Sequence, residues 1–332
     1  MACVSVAGCC RSQDQHESSE ATVIPGTLLG RNRLSKFGWE RAHSIVRANT
    51  DANGVLLLLA DVDNTLTGDP PALELFNRFW ETVHVPLGSW LCYNTARPCG
   101  PGNTESGYVE LVAKKKNPLV VPDVLIAGEG TEIFWFRQPE SGRFDWVPTR
   151  DTEWARRLDA IWDIGRVRAA LEPHDERVWL EENRRPNCWE GIDDINCDDP
   201  FRCAIAVSKQ STADAIAAHA RKALGADYVV EVVEAIWVAD MYLVTALPAV
   251  AGKHNASEYV RQRLGFASAS TVWAGDSDND LPMLQTDSWG VIVGNATSDQ
   301  LKNGCSVDKH FRAEASFAGG VIEGLAHFGF GN

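Results

Sequence analysis

The chain has 332 residues, and 31 Lys and Arg against 45 Asp and Glu give it a net charge of −14; the length suits two domains or one elaborated domain. So acidic a chain lacks the basic face that sequence-independent nucleic-acid binding needs, and no nucleic-acid partner is expected. A composition of 45% hydrophobic and 23% charged residues excludes disorder over most of the length, and the longest apolar run, 55–60, is far short of the ~20 residues that span a bilayer.

Residues 1–35 read as a flexible tail, with a Ser/Gln/Glu stretch at 12–20 and no sustained apolar period. The tail has no apolar h-region, and Asp14, Glu17 and Glu20 are out of keeping with a transit peptide, so a cytoplasmic location is expected. Nine cysteines, an odd number in a long chain, read as reduced thiols rather than a disulfide scaffold. Cys188, Cys197 and Cys203 lack the spacing of a zinc pair, and Ala2, ahead of Cys3, Cys9 and Cys10, excludes the myristoylation motif.

Trp39, Ala42, Ile45 and Val46 predict an amphipathic helix over 39–48. The run at 55–60 reads as a central parallel strand covered on both faces. Similar runs follow at 90–93, 124–127, 271–274 and 291–293, with helical patterns at 255–264 and 313–326. This alternation predicts an α/β fold with a doubly wound parallel sheet. Between 136 and 234 the texture changes, with strand-like pieces at 144–147, 178–180, 203–207 and 228–233 and helical ones at 153–171 and 212–224. That segment reads as an inserted α+β cap, with the core over 36–135 and 235–332.

Ligands gather beyond the carboxyl ends of such strands, and polar groups stand there. Asp61-Val62-Asp63-Asn64-Thr65 follows the first strand, Asn94-Thr95-Ala96-Arg97 the second, and Gly275-Asp276-Ser277-Asp278-Asn279-Asp280 a later one. Lys253 opens a helix after Gly252. Two acids one residue apart can present one carboxylate to a phosphorus and the other to its leaving oxygen. A hard cation such as Mg²⁺ wants oxygen ligands, which Asp61 and Asp276 offer. Thr95 offers a hydroxyl, and Lys253 a fixed positive charge, to phosphoryl oxygens. Singly, each is an ordinary turn acid, structural hydroxyl, surface lysine or helix-start carboxylate. It is their joint occurrence at strand ends, in this order, that points to phosphate chemistry.

The same four segments resemble the motifs of the haloacid dehalogenase superfamily in their phosphatase form, which implies a Rossmann-like core with a cap over the site. Pro122-Asp123, Gly130-Thr131-Glu132-Ile133, Leu247-Pro248 with Ala251-Gly252-Lys253, and Asn295-Ala296 resemble the sucrose-phosphatase family. The resemblance runs from about 55 to 328. It implies that Asp61 is a nucleophile forming an aspartyl-phosphate, and that Asp63 is the acid and base at the leaving sugar oxygen. Thr95 and Lys253 become phosphate binders. Asp61, the backbone carbonyl of Asp63, and Asp276 become ligands of Mg²⁺, supported by Asp280 and Asn279. Asn94, Arg97 and Arg202 become substrate residues.

Departures from the family pattern are Ala96 and Asp278 for glycines, and Phe201 and Arg202 for a histidine and a lysine of the cap. Most of Trp135, Trp146, Trp154, Trp162, Trp179 and Trp189 are expected to pack rather than stack on a sugar, and Lys114, Lys115 and Lys116 to be solvated. The expected activity is hydrolysis of a sugar phosphate, with sucrose 6-phosphate foremost. Another sugar or polyol phosphate, a phosphomutase and a silent sugar-phosphate binder are the alternatives. The chain closes soon after the core pattern, and a monomer is expected.

Overall fold

The computed structural model describes residues 54–97, 99, 119–172, 200–234 and 241–331. The expected tail, the helix over 39–48, the lysines at 114–116, the strand at 178–180, Trp179, Trp189, and Cys3, Cys9, Cys10, Cys188 and Cys197 lie outside the described residues.

In chain order the strands are β1 (Leu57–Ala60), β2 (Trp90–Asn94), β3 (Val124–Ala127), β4 (Glu132–Arg137), β5 (Phe144–Arg150), β6 (Cys203–Val207), β7 (Tyr228–Glu234), β8 (Tyr242–Pro248), β9 (Thr271–Gly275), β10 (Trp289–Ile292) and β11 (His310–Arg312). Eight form one sheet in the order β11-β10-β9-β1-β2-β3-β4-β5. It is parallel from β11 to β3 and antiparallel at β4 and β5. The all-apolar β1 is buried throughout because both faces are covered. Leu56, Leu58 and Ala60 pack on one side with Phe76, Trp80, Val321 and Leu325. Leu57 and Leu59 pack on the other with Trp154, Ala256, Tyr259 and Val260.

Those helical residues come from α1 (Pro70–Phe79) with the π turn after it, α2 (Thr152–Asp159), α5 (Lys253–Leu264) and α6 (Phe317–His327). Asp69 caps α1 by accepting from Ala72 N–H, ahead of Pro70 and Pro71. Such a cap contributes about 1 kcal/mol, whereas burying Leu73 and Phe76 contributes about 2 kcal/mol each. Packing therefore holds α1 more than capping does.

A second, antiparallel sheet has the order β6-β8-β7. One face packs on α3 (Ile164–Leu171) and α4 (Gln210–Leu224), around Val167, Ala217, Val230 and Val244. Sheet membership differs from the expected division at 136 and 234. β5 belongs to the large sheet, while β8 lies between β6 and β7. Local alternation marks a strand but carries no information about which sheet receives it.

Two helices also differ. The pattern at 153–171 is broken into α2 and α3, because Asp163 caps α3 through Arg166 N–H. The Tyr228 hydroxyl accepts from Asp163 N–H and donates to Ile161 O at that break. The last helix begins at Phe317 rather than near 313, since Ala313 N–H bonds to Ile292 O and Gly294 N–H to Ala315 O, holding the segment extended. No helix among the described residues is long and apolar enough to cross a membrane.

Candidate active site

β1 lies between β2 and β9, so the order reverses there and the carboxyl ends of three strands open into one crevice. Asp61 leaves β1 with its N–H on Ala274 O, Asn94 ends β2, and Asp276 follows β9. Gly252, at φ +94°, delivers Lys253 to the first position of α5 from the other side. A Cβ on Gly130 (φ +86°) would stand 2.4 Å from Gly252 O, so the glycine of the Gly130-Thr131-Glu132 segment is what lets this loop approach the lysine turn.

Asp61, Thr95, Lys253, Asp276 and Asp280 are all buried. Lys253 Nζ donates to Asp61 Oδ1 and to Asp280 Oδ1, both at 2.8 Å. Asp280 Oδ2 accepts from the N–H groups of Asp276 and Ser277 at 3.0 and 3.2 Å. Its two oxygens thus shape the turn after β9 and fix the lysine. Asp276 Oδ1 accepts from the Thr65 hydroxyl at 2.9 Å. Oxygens of Asp61, Asp276 and Asp280 lie within 4.8 Å of one another.

The charge is unbalanced, with three buried carboxylates around one ammonium. Burial is the main influence pushing Asp61 up to about 8; Lys253 opposes the rise and the carboxylate of Asp280 adds to it. Burial likewise pushes Asp276 up to about 6, reinforced by Asp280. Burial alone would lower Lys253, but the carboxylates of Asp280 and Asp61 together hold it well above its usual range. A further cation is what such a donor set accommodates, and all-oxygen ligands suit a hard divalent ion.

Asp63 stands apart from this cluster. It is partly exposed and takes a fork from Arg97, Nε to Oδ2 at 2.7 Å and Nη2 to Oδ1 at 2.8 Å. Thr95 Oγ1 accepts from Arg97 N–H at 3.1 Å, leaving the hydroxyl proton to donate. Asn94, expected at the substrate, is buried. Its Nδ2 donates to Lys253 O at 3.1 Å and Ser257 Oγ at 2.9 Å, so it braces the lysine turn. Asn279 Oδ1 accepts from the Ser277 hydroxyl inside the β9 turn.

The small sheet meets this crevice through Arg202, whose Nη1 donates to Ala96 O at 3.2 Å and lies 3.8 Å from Glu129. Phe201, where the family pattern has a histidine, is 6% exposed. It packs edge-on to Trp162 under the Arg150 guanidinium, a packing position. Trp135 and Trp154 are buried as packing residues. Thr65 was legible only as part of a motif; its bond to Asp276, 211 residues away, needs the folded crevice. Asp278, in place of a glycine, accepts from the Ser298 hydroxyl and ties the β9 turn to the loop after β10.

Comparison with known proteins agrees with this geometry. The model of the Sucrose-6F-phosphate phosphohydrolase family matches residues 55–329. Probable sucrose-phosphatase 2 of Arabidopsis thaliana is 29% identical over 83% of this chain, and this chain spans 60% of that protein's length. Mannosylfructose-phosphate phosphatase of Agrobacterium fabrum is 26% identical over 82% of the chain and 96% of its own length. The sucrose-phosphatase structure from Synechocystis sp. PCC6803 in complex with sucrose and phosphate has a TM-score of 0.58 and 27% identity, covering 82% of this chain and 97% of that one. A haloacid dehalogenase-like hydrolase from Bacillus subtilis, 16% identical, covers 87% of this chain and 99% of its own with a TM-score of 0.55, and so shares the fold. With the motif segments gathered at one crevice and the family match running from β1 past α6, the chain belongs to the sucrose-6F-phosphate phosphohydrolase family.

Proposed function

We propose that this chain is a Mg²⁺-dependent phosphohydrolase of a sugar phosphate monoester, with sucrose 6-phosphate the foremost substrate. The observation that carries the reading is the buried Asp61 carboxylate at the end of β1, held by Lys253 beside Asp276. An anionic nucleophile, a fixed cation and an oxygen donor set occupy one crevice.

Asp61 and Asp276, with the backbone carbonyl of Asp63, would hold the metal; when bound, it supplies the positive charge that offsets repulsion between a carboxylate and a phosphate. Asp61 attacks phosphorus, the bond from phosphorus to the sugar oxygen breaks, and Asp63 gives that oxygen its proton. Water then attacks the phosphorus of the aspartyl-phosphate, Asp63 takes a proton from it, and phosphate leaves with Asp61 restored. Lys253 and the Thr95 hydroxyl bind phosphoryl oxygens. Asp63 reaches the leaving oxygen by giving up part of its fork to Arg97, which ties the acid's availability to substrate entry. Arg202 bonds the Ala96 carbonyl between Thr95 and Arg97, a position that supports a role on the sugar.

The names of the relatives favour a disaccharide ester, and the match to the mannosylfructose-phosphate phosphatase over 96% of its length keeps a second such ester in view. The deciding experiment is phosphate release from a panel of sugar phosphates with Mg²⁺, beside Asp61→Asn. Release from sucrose 6-phosphate, lost by about a thousandfold or more in the variant, is expected. Preference for another ester keeps the chemistry and reassigns the sugar. No release from any ester by folded protein overturns the hydrolase and leaves a sugar-phosphate binder.

A further inference from the structure

The turn that carries Asp61 and Asp63 depends on a backbone conformation that its own residues disfavour. Asn64 has φ +59°, in the left-handed region. Asparagine enters that region more readily than most residues, but at a cost that glycine does not bear. Asn64 separates Asp63 from Thr65, whose hydroxyl reaches Asp276. Within the same turn the N–H groups of Leu66 and Thr67 both bond to Val62 O, at 3.0 and 2.9 Å. A change of φ at Asn64 would therefore move Asp63 against Asp61 and pull Thr65 from Asp276 together.

A side chain 231 residues away holds this conformation. Asn295, half-buried in the loop after β10, donates from Nδ2 to Asn64 O at 2.7 Å. Its Oδ1 accepts from Phe317 N–H at 2.7 Å. Phe317 is also left-handed, at φ +53°, where a bulky side chain is a genuine outlier. Its ring lies against Gly68, where an added Cβ would stand 2.3–2.8 Å from ring carbons. Gly294 brings the loop of Asn295 onto the backbone of Glu314 and Ala315, where a Cβ would stand 2.4 Å from Glu314 O. One amide thus links two strained residues, and the 61–68 loop rests on the start of α6 at two places, Asn64 through Asn295 and Gly68 against the Phe317 ring. Such strain persists where the surroundings over-determine it.

We propose that Asn295 is a positioning residue for the catalytic turn, holding Asn64 left-handed so that Asp63 and Thr65 keep their places beside Asp61 and Asp276. The consequence for turnover rests on the reading of Asp61 and Asp63 given above; the consequence for the turn itself does not.

Two readouts separate the two. The first is hydrogen exchange at the Leu66 and Thr67 amides, which needs no activity. Asn295→Ala is expected to speed that exchange by about tenfold or more, and the double variant Asn295→Ala with Asn64→Gly to restore most of the protection, because glycine is at ease left-handed. Asn295→Asp keeps an acceptor for Phe317 and loses the donor to Asn64, so it isolates the relevant bond if the alanine variant folds poorly; it is expected to match Asn295→Ala at the turn. The second is steady-state kinetics on the best ester of the panel. In both single variants kcat falls by about tenfold or more with KM within about twofold, and Asn64→Gly recovers most of the loss in the double variant. Unchanged exchange, or a double variant no better than Asn295→Ala in either readout, overturns the proposal. Wild-type protein that hydrolyses no ester overturns the hydrolase instead, and the exchange measurements still decide the role of Asn295.

Discussion

Among the described residues, Lys253 is the cation bonded to the buried carboxylates of Asp61 and Asp280. Lys253→Met would leave these acids without it, and removing one partner of a buried ion pair costs about 3–5 kcal/mol. Urea denaturation of metal-free protein should show that loss, and added Mg²⁺ should recover more stability in the variant than in the wild type. Asp61→Asn should behave oppositely. Burial and the neighbouring acids push Asp61 up to about 8, so its charge is disfavoured in the fold. The metal-free variant is expected to melt no lower than the wild type while losing turnover, as catalytic groups commonly trade stability for activity. A melting temperature well below that of the wild type would contradict this account of the site.

At the scale of elements, Asp151 joins the small sheet's entry to the core. Its carboxylate caps α2 through Trp154 N–H and accepts from Trp135 Nε1 on β4 and from the Tyr259 hydroxyl on α5, all buried. α5 carries Lys253, so this hub also sets the helix behind the site. Asp151→Ala removes a cap worth about 1 kcal/mol and strands two buried donors at about 1–3 kcal/mol each. A loss of about 3 kcal/mol or more is expected in urea denaturation. Asp163→Ala, at the exposed cap of α3, should cost only about 1 kcal/mol. Equal losses would show that Asp151 acts only as a cap. The caps themselves were legible as short-range chemistry, but the Trp135 and Tyr259 bonds span 16 and 108 residues. At the broken helix over 160–163 the Asp163 cap is likewise local, while the Tyr228 bonds that brace the break come from β7.

Across the whole molecule, the seam between the small sheet and the crevice carries a titrating group. Burial, then repulsion from Glu129 on the core side, pushes Glu231 of β7 from 4.5 up to about 7, with Arg221 opposing. A carboxyl whose folded value is raised gives stabilisation that is complete below about pH 4.5 and lost as pH rises through about 7. The full loss is about 3 kcal/mol. Denaturation between pH 4.5 and 7.5 should show the wild type losing about that much more than Glu231→Gln. Identical pH dependences would remove Glu231 from the seam's energetics.

The acids at 61, 63, 276 and 280, the lysine and the flanking strands were readable because each motif is local: an apolar run, then a polar turn. The parallel core could be read for the same reason, as β1 is apolar on both faces and needs cover on both. What only the tertiary structure decided is which turns meet and which strands share a sheet. The fork of Arg97 on Asp63, the burial of Phe201, Asn94 turned to the lysine backbone, and Asn295 beneath Asn64 all join residues between 34 and 231 positions apart, or a side chain to a neighbouring layer. β5 and β8 are both seven-residue strands, yet one extends the large sheet and the other centres the small one. Period-two alternation specifies a strand's buried face, while hydrogen bonds to a distant neighbour specify its sheet.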